Sequence, residues 1–259
     1  MNKLAALAVI TFGLSLPAMG QAPQKASANA PSPAASPDSA ALPSADNILT
    51  RYVEALGGRA AWQKLNSRVS TGTIEVPAMN LSGTVEMHEK APNSMLAVIV
   101  INGAAYRQGF DGSAGWADDP QNGLRQMDGV ELDETRRDSD FYHPLDLKKI
   151  YSNFTVTGRD KIRERDTYVV EAALPGGGPD RLYFDVQSGL VLRIISQHHT
   201  PEGVITFTED LSDYRDVDGV KLPFTVHQSS AESDFTIRFS EVRHNVAQED
   251  AQFSKPAAQ

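Results

Sequence analysis

The stretch that decides the fold is DRLYFDVQSGLVLRIISQ, residues Asp180–Gln197. Its first half alternates apolar and polar residues, as in a β-strand that buries one face. Asp185–Gly189 then reads as a tight turn, because the Asp carboxylate can accept a local backbone N–H and Gly189 can adopt a positive φ. The expected rows of the second strand are Leu190, Leu192 and Ile194 on one face, and Val191, Arg193 and Ile195 on the other. The sequence therefore predicts an antiparallel hairpin that something apolar must cover.

The period of two extends on both sides of this hairpin, from Ser67 almost to the end of the chain. Further strands are predicted over residues 67–76, 81–90, 95–101, 104–110, 113–117, 155–156, 167–174, 204–214, 220–228 and 234–244. Before them, Ser44 is a suitable N-cap for a helix with one apolar face, and Gly57–Gly58 would end that helix. A shorter helical segment, Arg59–Leu65, carries Trp62 toward the same core.

Only Gln121–Phe154 breaks the β pattern. Within it, Glu131–Asp140 is charged and compatible with a helix, and apolar residues follow at mixed helical spacing. Many strands in meander order, with so few helices, predict an α+β, mostly β fold. Its core would be a strongly curved antiparallel sheet, an incomplete β-barrel, with an N-terminal helix and a short mid-chain helical lid. A closed eight-stranded barrel is the alternative.

Residues 1–43 are predicted to lie outside the folded domain. Met1–Gly20 has a basic start, an apolar stretch over Leu4–Leu16 and small residues at its end, which is the pattern of a secretory signal peptide. The apolar run is shorter than the ~20 residues of a membrane-spanning helix, although an uncleaved anchor is the alternative. Gln21–Pro43 is rich in Ala, Pro and Ser and is predicted to be a disordered linker. The mature protein is expected to be exported, soluble and acidic.

Composition and charge argue against several classes of protein. The formal net charge is −9, with 24 Lys and Arg against 33 Asp and Glu, so no basic surface for nucleic acid is expected. Cysteine is absent, which excludes disulfides, thiol catalysis and a lipid-modified cysteine. No cofactor and no metal is predicted, and the chain is expected to be a monomer.

The search for catalytic groups finds few candidates. Ser113 lies one position too early in Gly112–Gly115 for the nucleophile motif of hydrolases, and it lies in a predicted hairpin. His198 and His199 are adjacent, so on a strand they would point to opposite faces and could not share one metal ion.

Acidic and glycine-rich segments are also interpreted as loops. We interpret two acidic sets as solvated turn residues: Asp118–Asp119, and Glu209 with Asp210 and Asp213. The mixed charge run Asp160–Asp166 is predicted to be an exposed turn. Gly176–Gly178 opens no helix and precedes no Lys, which excludes a phosphate-binding loop.

What remains is a surplus of apolar surface. Met95–Ile101 and Leu190–Ile195 carry apolar residues on both faces, yet few helical residues are available to cover them. From the residues alone, a conventional filled core is the simpler interpretation, and a hydrophobic ligand cavity is the alternative.

Several short motifs resemble those of the periplasmic outer-membrane lipoprotein-carrier, or lipoprotein-sorting, family of LolA- and LppX-like proteins. Their order along Ser44–Pro256 carries the resemblance more than any single motif does. The motifs are Phe110-Asp111-Gly112 with Trp116 and Asp119-Pro120, the hairpin YFDVQSGLVLR, Asp218-Gly219-Val220-Lys221-Leu222-Pro223, and Phe253 with Pro256.

This resemblance implies a carrier-like half-barrel domain over residues 44–259, with a hydrophobic cavity that shields acyl chains beneath a helical lid. It implies a non-catalytic periplasmic protein that binds lipid or lipoprotein for transport or sorting to the outer membrane. The residues expected to line the cavity are Val98, Val100, Phe110, Trp116, Tyr142, Ile150, Leu182, Phe184, Leu192 and Ile194.

Two other functions stay open at this point. One is a structural or accessory interaction domain of a cell-envelope complex, with a filled core and envelope proteins as partners. The other is an envelope hydrolase, for which Ser113, His198 and His199 are the remaining candidates.

Overall fold

The computed structural model describes residues 41–175, 178–200, 203–231 and 233–257. The predicted signal peptide and nearly all of the predicted linker lie outside these ranges, as do Gly176, Gly177 and the side chains of His198 and His199. Among the described residues, no helix is long and apolar enough to cross a membrane.

Within these ranges, thirteen antiparallel strands form one open sheet. The strands are β1 (Ser67–Val76), β2 (Leu81–Lys90), β3 (Ser94–Ile101), β4 (Ala104–Phe110), β5 (Gly115–Asp119), β6 (Gly123–Gln126), β7 (Asn153–Ile162), β8 (Arg165–Ala173), β9 (Pro179–Asp185), β10 (Val191–Thr200), β11 (Gly203–Val217), β12 (Val220–Ser229) and β13 (Asp234–His244). Their spatial order is β6-β5-β4-β3-β2-β1-β13-β12-β11-β10-β9-β8-β7, so β6 and β7 are the two edges. The predicted incomplete barrel is confirmed, and the closed barrel is not formed.

This strand order explains the mid-chain break in the β pattern. Strands β1–β6 run as a meander to one edge, whereas β7–β13 start at the opposite edge and return until β13 pairs with β1. Residues 127–152 must therefore connect the two edges. They contain α3 (Gly129–Asp138), a 3-10 turn (His143–Leu145) and α4 (Leu147–Ile150). The predicted helical lid is confirmed, and it is the connection between the two edge strands.

Two helices precede the sheet, α1 (Ala45–Ala55) and α2 (Arg59–Trp62). The predicted cap of α1 is confirmed, because the Asn47 backbone N–H donates to Ser44 Oγ at 3.2 Å. Two further 3-10 turns, Pro77–Met79 and Asp250–Gln252, lie between β1 and β2 and after β13.

The two faces of the sheet differ in what covers them. Directly paired residues of neighbouring strands share a face, and successive residues alternate. The face that α1, α3 and residues 139–151 contact is called the inner face here, and the opposite one the outer face. For example, a Cβ on Gly115 of β5 would lie 3.0 Å from the Leu132 side chain of α3, so Gly115 belongs to the inner face.

The described residues form three apolar clusters. The helix-filled cluster joins the inner face of β8–β12 to helical and lid residues, among them Ile48, Leu49, Tyr52, Leu56, Trp62, Phe141, Leu145, Leu147, Ile150 and Tyr151. The strand-only cluster consists of Ile74, Val76, Val85, Met87, Met95, Ala97, Ile99, Ile101, Phe235 and Ile237. The outer cluster consists of Ile162, Tyr183 and Leu192.

The hairpin at Asp180–Gln197 forms as predicted, with one difference. Gly189 has a φ of 80°, and its N–H donates to the Asp185 carbonyl oxygen at 2.9 Å. A β-bulge between Val191 and Arg193 then adds one residue to the second strand. Leu192 therefore moves to the outer cluster, whereas Val191 joins the helix-filled cluster. The predicted single row of Leu190, Leu192 and Ile194 is wrong for this reason.

The sheet also contains more strand than predicted. β6 was not expected, and β7 spans 10 residues where only Thr155–Val156 was expected. The prediction that Asp160–Asp166 is an exposed turn is wrong for most of its length. Only Arg163 and Glu164 form the turn, with φ of 46° and 61°, and the residues around them are paired in the ladder between β7 and β8.

Candidate functional site

The strand-only cluster is an apolar area of the inner face. Val85 pairs with Ile99 across β2 and β3, and Ile74 pairs with Ile237 across β1 and β13. Ile237 also pairs with Val226 of the helix-filled cluster, so both clusters lie on the inner face. Every member is at most 8 % exposed, and the half-buried apolar residues packed against the cluster, Leu81, Tyr106 and Phe239, are strand residues too.

Six of the ten predicted cavity residues lie on the inner side. Ile150, Leu182, Phe184 and Ile194 belong to the helix-filled cluster, and Tyr142 packs against it. Phe110 is fully buried and pairs with Met95 of the strand-only cluster. The structure thus brings five of these residues together where helices already cover the sheet.

The other four predicted residues lie on the outer face. Val98 pairs with Glu86 and Arg107, opposite to the face that Ile99 shares with Val85, and Val100 follows the same alternation. Leu192 is moved outward by the bulge described above. Trp116 is the fourth residue on the outer face. These placements contradict an inner-cavity position for all four residues.

Trp116 is covered by the C-terminal segment. It pairs with Gly109, whose missing Cβ would fall 2.4 Å from the indole Nε1, and that Nε1 donates to the Phe253 carbonyl oxygen at 2.8 Å. Phe253 is itself 1 % exposed. Trp116 and Phe253, two parts of the motif series that suggested the fold, therefore close the outer face against each other.

Sequence reasoning missed the inner-face residues Ile99 and Ile101 because Met95–Ile101 is apolar on both faces. The deciding signal was present in the neighbouring strand. In β2, Val85 and Met87 alternate with Glu86 and His88, and the paired strand must follow that alternation.

A buried charged pair lies on the inner face where β1 and β2 meet the lid. Arg68 Nε donates to Glu89 Oε2 at 2.5 Å, and Arg68 Nη2 donates to Glu89 Oε1. The Arg68 guanidinium also lies 6.0 Å from the Trp62 ring and 5.7 Å from the Phe141 ring. The pair therefore connects the sheet to α2 and to the lid through charge-assisted hydrogen bonds and cation–π contacts.

A carboxylate interrupts the apolar inner face of β11. Along one row of paired residues, Phe235 of β13 is followed by Gln228, Glu209, Ile194 and Leu182. Glu209 is 7 % exposed, and its Oε1 has no hydrogen-bond partner among the described residues. The interpretation of Glu209 as a solvated turn residue is therefore wrong, because β11 continues through it and its side chain is buried.

The other acidic residues of the two sets have varied positions. Asp210 is also buried, at 6 % exposed, and accepts bonds from Arg193 Nε at 2.6 Å and Nη2 at 2.8 Å on the outer face. Asp213 is a half-exposed residue with φ of 52°. Asp119 accepts from the backbone N–H groups of Gln121 and Asn122, as expected of a turn residue.

Further ionisable groups lie between the sheet and the lid. Burial raises the pKa of Glu209 to about 8, with Asp138 of α3 adding to the effect. Burial likewise raises the pKa of Asp138 to about 8, against the attraction of Arg137. Burial raises the pKa of Asp180 to about 7, although the Tyr151 hydroxyl donates to Asp180 Oδ2 at 2.8 Å. The sequence offered no sign of this group, because it forms only when the lid crosses the sheet.

His143 belongs to the same layer. It is 2 % exposed in the 3-10 turn of the lid, and its Nδ1 has no hydrogen-bond partner among the described residues. Burial, and then the nearby Arg137, lower the pKa of His143 to about 4. This imidazole is therefore neutral at ordinary pH.

Two clefts flank the lid. One, of about 420 Å³, lies between α1 and residues 145–149 and is lined by Leu49, Val53 and Leu147 among others. The other, of about 380 Å³, lies between the end of α3 and α4 and includes Arg137, His143 and Ile150. Salt bridges from Lys148 to Asp46 (2.6 Å) and from Arg59 to Asp146 (2.6 Å) link the lid to α1 and α2.

Candidate catalytic groups gain no support from the geometry. The Ser113 hydroxyl donates to Asp111 Oδ1 at 2.9 Å and, with two backbone N–H groups on the same oxygen, forms the β4–β5 turn. No group of three or more possible metal ligands occurs among the described residues.

Known structures share this architecture. No protein-family profile and no curated protein sequence matches the chain. A DUF1329 family protein from Desulfovibrio piger superposes with a TM-score of 0.55 at 14% identity, covering 81% of this chain and 96% of its own. A putative outer membrane lipoprotein-sorting protein domain from Vibrio parahaemolyticus superposes with a TM-score of 0.53 at 14% identity, covering 82% of this chain and 98% of its own. A LolA superfamily protein from Nitrosomonas europaea superposes with a TM-score of 0.51 at 12% identity, covering 83% of this chain and 99% of its own. The chain has a LolA-like fold.

Proposed function

We propose that this protein is an exported, non-catalytic lipid-binding protein of the cell envelope. It would hold acyl chains of lipids or lipoproteins against the strand-only cluster during transport or sorting to the outer membrane. The main observation in support is that all described residues of this inner-face cluster lie on strands, whereas helices cover the neighbouring cluster. The fold likeness to a putative lipoprotein-sorting domain supports this proposal.

The energetics of this role require no catalytic group. Moving an acyl chain from water to an apolar surface is worth about 0.8 kcal/mol per buried methylene. The lid, one connection held to α1 and α2 by ion pairs with exposed cations, would supply the cover. Exposed pairs of this kind contribute about 0–1 kcal/mol, so the lid is held mainly by its apolar residues in the helix-filled cluster, such as Phe141 and Leu147.

The test is lipid content followed by lipid uptake. Protein purified from the envelope of the expressing cell is extracted with organic solvent and analysed by mass spectrometry, and delipidated protein is titrated with a fluorescent fatty acid. We expect stoichiometric lipid and saturable uptake. If neither bound lipid nor saturable uptake is found, the proposal is overturned and an accessory domain with a filled core is favoured. The helix-filled cluster is a part of the molecule that already has such a core.

Adjacent residues of β3 provide matched variants. Ile99→Glu places a charge in the strand-only cluster, whereas Val98→Glu places the same charge on the outer face. Uptake should fall at least about tenfold in the first variant and stay unchanged in the second. Ile99→Ala keeps the surface apolar and should retain uptake, and circular dichroism checks that each variant is folded. Equal loss in Ile99→Glu and Val98→Glu would contradict the proposed location.

A further inference from the structure

Glu209 lies where the two apolar clusters of the inner face meet. On one side, Gln228 separates it from Phe235 of the strand-only cluster, and on the other side it pairs directly with Ile194 of the helix-filled cluster. Neighbouring strands are about 4.8 Å apart, so Glu209 is about 10 Å from the strand-only cluster. An amphiphile with its chain on that cluster can therefore bring its polar end to Glu209.

Two carboxyl oxygens make no hydrogen bond at this place, although one of them, Asp138 Oδ1, lies 3.5 Å from Arg137 Nε in an ion pair. Glu209 Oε1 and Asp138 Oδ1 accept no hydrogen bond from a described residue. Buried polar groups in folded proteins are nearly always hydrogen-bonded, so an unpaired one marks a place that a donor of a ligand can fill. The two carboxyl groups come from opposite sides, one from β11 and one from α3, and Asp138 adds to the rise in the pKa of Glu209 that burial causes.

The charges around Glu209 select the kind of group that would satisfy it. After burial, Asp138 of α3 and Asp210 on the same strand raise the pKa of Glu209. Burial, then Tyr52 of α1 and Glu209 itself, raise the pKa of the Tyr214 hydroxyl. These neighbours are acidic or phenolic, and Arg137 lies 3.5 Å from Asp138. A primary ammonium has three donors and a positive charge, so it can donate to Glu209 Oε1 and balance the charge of its carboxylate, whereas a hydroxyl has a single donor and no charge.

We infer that Glu209, together with Asp138, is a headgroup site for an amphiphile that carries a primary ammonium. This inference rests on the proposed lipid-binding function and names the class of cargo. When the ammonium enters, the Glu209 carboxyl releases its proton to solvent and forms an ion pair with the bound cation, so charge and protons balance. A carboxylate cargo brings no donor for Glu209 Oε1, so the same residues do not favour it.

The test compares three probes with the same chain: dodecylamine, dodecanol and dodecanoic acid. Each competes, below its micelle concentration and at neutral pH, with a neutral fluorescent lipid probe on the full-length mature protein. Dodecylamine is expected to bind at least about tenfold more tightly than the other two. Titration calorimetry in buffers of different protonation enthalpy should also show release of a proton with dodecylamine only.

Variants connect the preference to its residue. Glu209→Gln should remove the preference for the amine, Glu209→Asp should retain part of it, and Asp138→Asn should weaken it. Asp210→Asn is the matched comparison on the outer face, and because Asp210 acts on Glu209 less than Asp138 does, this variant should change the preference less than Asp138→Asn. If the three probes bind equally, or if Glu209→Gln keeps the preference, the inference is overturned while lipid binding stands. If no probe binds, the proposed function itself is overturned.

Discussion

The helix-filled cluster and the strand-only cluster are made by the same sheet and covered differently. Both consist of inward-facing apolar residues on antiparallel strands, and they share a boundary at the Val226–Ile237 pair. In the first cluster, Tyr52 and Trp62 from the helices and Phe141 from the lid interdigitate with the strands. In the second, the described residues belong to strands alone.

This difference shows that forming the apolar inner face of the sheet and covering that face are separate matters. Alternating apolar residues are sufficient to form an inner face, but the described part of the chain provides one short helical connection and two N-terminal helices to cover it. That connection cannot cover thirteen strands evenly. Polar groups then collect at the boundary, where Glu209, Asp138 and the Arg68–Glu89 pair separate the two apolar areas.

The largest effect is expected from pH, through the carboxyls under the lid. The folded pKa values of Glu209 (about 8), Asp138 (about 8) and Asp180 (about 7) lie above their unfolded values near 4. Their stabilising contribution is thus complete below pH ~4 and is lost as pH rises to ~8, by ~1.4 kcal/mol per pH unit for each proton. His143 acts oppositely, because its folded pKa of about 4 is lowered and its contribution is lost as pH falls below ~6.5.

Urea unfolding at several pH values between ~6.5 and ~9 measures this slope without interference from His143. Stability should decrease with rising pH, and Glu209→Gln should make the decrease shallower. Asp210→Asn, whose partner Arg193 lies on the outer face, should change the slope less than Glu209→Gln does. A wild-type stability that is constant or increases over this range would show that the carboxyls under the lid are ionised in the folded protein.

Truncation of one phenylalanine in each cluster tests the comparison directly. Phe184 is 1 % exposed and contacts the Tyr52 ring edge-on at 5.5 Å, so Phe184→Ala should reduce the free energy of unfolding by about 3–5 kcal/mol. Phe235→Ala should cost at least about 1 kcal/mol less, because no helix residue packs against the described part of its cluster. Equal costs in urea unfolding would mean that the strand-only cluster is packed like an ordinary core.

The buried Arg68–Glu89 pair should give the next largest effect. Glu89→Gln leaves the Arg68 guanidinium buried without its counter-charge, which should cost about 3 kcal/mol. Replacing both residues by Met removes the uncompensated charge and should recover much of that loss. Thermal unfolding of the single and double variants provides the measurement, and a double variant less stable than Glu89→Gln would assign the role of the pair to the ring contacts with Trp62 and Phe141.

What could be predicted from the sequence was local. The Asp185–Gly189 turn and the Ser44 cap depend on residues a few positions apart, so their chemistry is visible in the chain. The LolA-like fold followed from the order of several such motifs. The faces of Val98 and Leu192 could not be read in the same way, because they depend on the register with another strand and on a bulge.

The buried polar residues were the hardest to predict. Glu209 lies among polar neighbours in sequence, yet it is buried on the inner face, and Asp138, which acts on its pKa, comes from a connection that begins at the far edge of the sheet. The same holds for Arg68, whose aromatic partners come from α2 and the lid. Burial created by a crossing segment leaves no periodic pattern in the strand that it covers.

The smallest expected effect compares two turns with the same backbone geometry. Gly189, in the helix-filled half, and Gly103, between β3 and β4 in the strand-only half, both have a φ of 80°. A Cβ on Gly189 would lie 3.1 Å from Arg51 Cγ of α1, whereas a Cβ on Gly103 would meet nothing within 4 Å. Gly103→Val should therefore cost about 1 kcal/mol of backbone strain, and Gly189→Val about 1–2 kcal/mol because α1 must also shift. Chemical denaturation measures the free energy of unfolding of both variants. Equal costs would show that α1 shifts at the turn without a loss of stability. The helices would then cover the sheet more loosely than the packing of the helix-filled cluster implies.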